Sequence, residues 1–204
     1  MRAALRSIAA LLLAWLAPAV ACSAEPATDR IALAAPMVLE YTGQVAGLDA
    51  QSETRTVFRI RAVAPEWRVE WEEAFRLGAF VVPAKVLAES RRYYRSVVLE
   101  NGRELPLDGT LLVLSAAVYD ELEQGRQVKL QIQRHPSWLR PTGETTMTID
   151  GRSVPAFTAT DSLGRAYCFQ RDRAFPLLLR YQANAYSECL TRVHHGDVLF
   201  RWYH

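Results

Sequence analysis

The chain has 204 residues, half of them hydrophobic, with 24 Lys and Arg against 22 Asp and Glu and a formal net charge of +2. That length suits one well-cored domain and is short for two. The near balance of charge lacks the basic excess of a nucleic-acid binder, so no nucleic-acid partner is expected.

The first 21 residues read as an export signal. Arg2 and Arg6 precede an apolar run from Ser7 to Ala21, which is interrupted by Pro18 and ends in the small-residue stretch Ala19-Val20-Ala21. The run is shorter than the roughly 20 residues that span a bilayer as a helix. Cys22 follows directly, and Ala19-Val20-Ala21-Cys22 resembles a lipobox, with Ala19 where Leu is usual. Acylation of Cys22 would hold the mature chain at a membrane without any spanning helix. Cleavage that discards the cysteine is the other outcome. Losing Arg2 and Arg6 takes Lys and Arg from 24 to 22, which makes the mature chain formally neutral. Residues 22–35, rich in Ala and containing Pro26, read as a tether, and residues 36–204 as a single β-rich domain.

From Met37 onward the dominant period is two. Met37 to Val45, Arg55 to Val63 and Trp67 to Glu73 alternate bulky with polar residues, as half-buried strands do. Asn101-Gly102 predicts a hairpin turn between Val97–Leu99 and Leu105, and Asp150-Gly151 predicts another between Thr146–Ile149 and Ser153–Phe157. Asp161 to Gly164 turns into a strand at Arg165–Phe169. Phe175–Gln182, Tyr186–Val193 and Asp197–Trp202 are further apolar runs. Pro83 to Glu89 predicts a short helix. Ser115 to Gly125 predicts a stronger one, with Ser115 as cap, Val118, Tyr119 and Leu122 on one face and Gly125 as the left-handed exit. Pro136 to Pro141 reads as a rigid loop.

The fold class is therefore β-rich α+β: an antiparallel sandwich or open barrel of about ten strands with one or two short helices.

Few residues suggest chemistry. Cys22, Cys168 and Cys189 form an odd set, so if Cys22 is acylated or removed the other two can pair as a disulfide. Such a bridge would stabilise by roughly 3 kcal/mol. In a plain three-strand meander the outer strands lie about 9.6 Å apart, too far for a bridge, so the disulfide requires neighbouring or facing strands. Buried reduced thiols are the alternative. His194-His195-Gly196-Asp197, with His204 nearby, is a cluster of ligand-type residues, but adjacent strand histidines point to opposite faces. No metal and no cofactor are expected. Glu70, Glu72 and Glu73 read as a solvated strand face, and His135 as part of a loop. No G-x-S-x-G elbow occurs, and no catalytic residue is assigned. Arg91-Arg92-Tyr93-Tyr94-Arg95 is a local basic cluster that could meet a phosphate-bearing lipid or a glycan. Trp138 is a candidate contact for a glycan or protein partner.

These features together predict a non-enzymatic envelope lipoprotein. It would be exported to the periplasm, anchored at the outer membrane through Cys22, and would bind a protein, lipid or glycan. A periplasmic inhibitor or immunity-type protein and an envelope-polymer hydrolase are the alternatives.

Overall fold

A computed structural model describes residues 29–46, 53–74, 76–95 and 104–196. The export segment, Cys22, the Asn101-Gly102 turn, Asp197, His204 and the run at 197–202 lie outside the described residues.

Thirteen strands and two helices are described: β1 (Met37–Val45), β2 (Thr54–Ala62), β3 (Glu66–Glu73), β4 (Arg76–Pro83), α1 (Ala84–Glu89), β5 (Arg92–Tyr94), β6 (Glu104–Pro106) and β7 (Thr110–Leu111) come first. The second half holds α2 (Ala116–Glu123), β8 (Val128–Ile132), β9 (His135–Ile149), β10 (Arg152–Asp161), β11 (Ala166–Gln170), β12 (Leu178–Gln182) and β13 (Tyr186–His195). All strands join one sheet in the order β6-β4-β3-β2-β1-β13-β12-β11-β10-β9-β8-β5-β7. The first and last described strands, β1 and β13, pair antiparallel in its interior. The β-rich α+β class holds.

The period-two pattern explains the layering. On β10, Val154 and Ala156 belong to one buried cluster and Phe157 and Ala159 to another, and on β11 Cys168 sits opposite Tyr167 and Phe169 in the same way. Both faces of this part of the sheet are covered, so bulky residues occupy both parities. The larger cluster gathers Met37, Leu39 and Tyr41 with Phe58, Ile60, Trp67 and Val69. The second packs Val118, Tyr119 and Leu122 of α2 against Val128, Leu130, Leu139 and Phe169.

The turn and helix signals read from the sequence are realised where they are described. Asp150 (φ 49°) and Gly151 (φ 73°) both take the left-handed conformation that joins β9 to β10. Ser115 Oγ accepts from Val118 N at 3.3 Å, and Gly125 (φ 75°) ends α2.

Three expectations change. The chain from Pro136 to Pro141 is strand, because Gln133 (φ 52°) and Arg134 (φ 67°) make a two-residue turn from β8 that does not use Gly or Asn. The hairpin expected at Asn101-Gly102 lies outside the described residues, and the strand after it, β6, pairs in parallel with β4. Ile31, in the stretch expected to be tether, is buried, and Gln170 clamps its backbone: Ile31 N donates to Gln170 Oε1 at 2.9 Å and Gln170 Nε2 donates to Ile31 O at 3.0 Å. The expected Cys168–Cys189 disulfide is absent, and both thiols are free. β11, β12 and β13 form a plain meander in which Cys168 and Cys189 each oppose Arg180, which puts two strand spacings, about 9.6 Å, between the cysteine positions.

Candidate functional site

The outer face of β5, β8 and β9 carries the candidate site. Alternation buries Tyr93, Val128, Leu130, Ile132 and Leu139 beneath α2 and turns their neighbours outward. Register then aligns the outward residues in two rows. β5 runs parallel to β8 with Arg92 opposite Gln131, and Gln131 opposes Pro136 of β9. One step along, Lys129 opposes Trp138. The result is a groove of about 670 Å³ lined by Arg91, Arg92, Lys129, Gln131, Ser137 and Trp138, with Ser162 closing one side. Ser137 Oγ and Ser162 Oγ are 2.7 Å apart, and the Arg140 guanidinium lies 5.6 Å from the Trp138 ring centre.

Two arginines of the groove are held by carboxylates. Arg91 pairs with Glu121 of α2 and also donates to Lys129 O at 3.3 Å. Arg92 pairs with Asp108, which in turn accepts from Tyr94 Oη at 2.5 Å. The Tyr94 hydrogen bond, and after it the charge of Arg92, holds the Asp108 carboxyl below its ordinary range against the opposing effect of burial. Gly109 makes the clamp possible. A Cβ there would stand 2.7 Å from Arg92 Cβ and from Tyr94 Cε2 and 2.8 Å from Arg92 O, so only glycine lets the chain pass this close to β5.

The other residues singled out from the sequence fall elsewhere. Among the described residues no three His, Cys, Asp or Glu are grouped to hold a metal. His194 Nε2 lies 3.4 Å from Glu40 Oε1, while the other oxygen of that carboxylate meets Arg55 at 2.8 Å. His135 is exposed and opens β9. Glu70 and Glu72 do lie along β3 as a solvated row, paired with Arg61 and Arg59 at 2.9 Å.

Sequence reading missed a second polar cluster. Arg95 sits 4.6 Å from the Tyr181 ring centre and 5.1 Å from that of Tyr186, with its Nη1 3.4 Å from Glu188 Oε2. The fully buried Tyr93 hydroxyl lies beside this group and has no hydrogen-bond partner among the described residues. Lys129 and Gln131 were also missed, although the alternation of Val128, Leu130 and Ile132 would have turned them outward.

No family model matches the chain. Searches of curated proteins and of solved structures returned no match either.

Proposed function

We propose that this chain is an exported, non-enzymatic lipoprotein of the bacterial envelope, held at the outer membrane by acylated Cys22, whose groove at Trp138 engages an envelope partner. One observation carries the reading. Arg91 and Arg92 of the basic cluster Arg91–Arg95 and the aromatic Trp138, 46 positions beyond Arg92, line one groove, while Arg95 of that cluster lies apart on Glu188. Concave sites that combine an aromatic face with a few fixed polar groups are where ligands bind.

The N-terminal sequence supports the address. Among the described residues no helix is long and apolar enough to cross a membrane, so Cys22 would supply the attachment. A hydrolase reading needs a histidine free to act as base beside a carboxylate. The His194–Glu40 contact offers a carboxylate already engaged by Arg55, which favours a structural role for that pair.

Two measurements test the reading. Cys22→Ala is expected to move the protein from the membrane fraction to the soluble fraction, and unchanged fractionation removes the anchor. A photoreactive phenylalanine at Ser137 is expected to cross-link to an envelope component in cells, with the cross-link lost in Trp138→Ala. A cross-link that survives that change places the partner elsewhere.

A further inference from the structure

Resting on the groove as the binding site, we infer that its ligand is an acidic saccharide, with a sugar ring on Trp138 and the carboxylate or phosphate group of that sugar held by Lys129 and Arg92. Lys129 directly opposes Trp138 across the β8–β9 pair, which puts their Cβ atoms about 5 Å apart. A negative group on a ring lying over the indole is therefore within reach of the Lys129 ammonium. No carboxylate pairs with Lys129 among the described residues, so its charge is available. Arg92 is different: Asp108 fixes its direction while leaving donors of the five-donor guanidinium fork unspent. A clamped arginine beside a free lysine gives one rigid and one adaptable cation for a single anion.

The remaining lining selects among anionic ligands. Gln131 offers an amide that both donates and accepts. Sugar hydroxyls both donate and accept and so use such two-way partners, whereas a carboxylate only accepts. The groove's volume of about 670 Å³ lies within the 300–1,000 Å³ of small-ligand sites. A peptide on Trp138 is the competing occupant, and the cross-link from Ser137 tells the two apart.

The test uses the full mature chain and two probes, a galacturonic-acid trisaccharide and glucose 6-phosphate, each with its neutral counterpart, followed by calorimetry and Trp fluorescence. At least one acidic probe is expected to bind 10-fold or more tightly than its neutral analogue, with affinity falling as salt rises. Trp138→Ala should weaken that binding at least 10-fold and Lys129→Gln at least 3-fold with a shallower salt dependence, both with unchanged thermal melting. Equal binding of acidic and neutral sugars, binding untouched by either substitution, or no binding by any probe overturns the saccharide. A cross-link from Ser137 to a protein alone, or sedimentation with anionic phospholipid vesicles alone, also overturns it while leaving the groove as a binding site. Loss of both sugar binding and cross-linking brings down the groove reading as well.

Discussion

Cys168 and Cys189 oppose the same residue, Arg180, from the two sides of β12. Burial raises the Cys168 thiol to about 11 and raises Cys189 too, with the Arg180 charge pulling each back. Both are therefore thiols at neutral pH, and poor nucleophiles. Maleimide labelling without reductant should modify both after denaturation. In the native state Cys189, the less buried, should react first, with Cys168 protected. A Cys168–Cys189 disulfide peptide in the unreduced digest would contradict the strand order.

Asp161 organises the β10–β11 turn from a side chain with no exposed surface. It accepts from Leu163 N at 2.9 Å, Arg165 N at 3.0 Å, Arg165 Nε at 2.5 Å and Tyr167 Oη at 2.9 Å. Removing it leaves a cation and a hydroxyl without their acceptor, so Asp161→Ala should cost about 3–5 kcal/mol. Asp161→Asn, which keeps the shape and one acceptor, should cost roughly half as much. Denaturant midpoints decide between this and a turn held by its backbone alone, for which Ala would cost under about 1 kcal/mol.

Why some of this was readable follows from how local each cause is. The turn at Asp150-Gly151 needs two left-handed residues, and that dipeptide announces them, whereas Gln133-Arg134 adopts the same conformation with no such signal. Pro136 and Pro141 argued for a loop, yet proline is admitted at strand starts and bulges. Pro136 is second in β9, and Pro141 sits where the β9–β10 register shifts. Ser115, Val118, Tyr119, Leu122 and Gly125 fall within one short segment, so local sequence suffices to specify α2. The groove was visible only in halves. Arg92 and Trp138 come to line one groove through the parallel pairing of β5 with β8, a non-local contact that no pattern within either segment specifies.

Arg95 and Glu188 give a dependence on pH. Burial raises the Glu188 carboxyl above its ordinary value and the Arg95 charge opposes this, with side-chain exposures of 13% for Glu188 and 24% for Arg95. A carboxyl raised on folding contributes stability that is complete below its unfolded value and is lost as pH climbs through the folded one. Arg95→Gln removes the opposing charge and moves the folded value further up, so the loss should grow with pH. We expect the variant to lose about 1–2 kcal/mol at pH 7 and less at pH 4, where Glu188 is largely protonated and the removed charge matters less. Equal losses at the two pH values would mean that Arg95 acts through its stacking on Tyr181 and Tyr186 alone.

Asp108 and Gly109 are adjacent, and the structure gives them separable roles in the groove. Asp108 is 61% exposed in its side chain, so Asp108→Asn should change global stability by less than about 1 kcal/mol while freeing Arg92 and weakening binding at the groove. Gly109→Ala should do the reverse in order of size. Its Cβ would press on Arg92 Cβ, Tyr94 Cε2 and the Arg92 backbone oxygen at once. Backbone cannot swing aside as a flexible side chain does, so β7 must move from β5, at about 1–3 kcal/mol for the overpacking. Thermal melts of the two variants beside ligand titrations separate the cases. An Asp108→Asn variant with full binding would show that Lys129 and Trp138 hold the ligand without the Arg92 clamp.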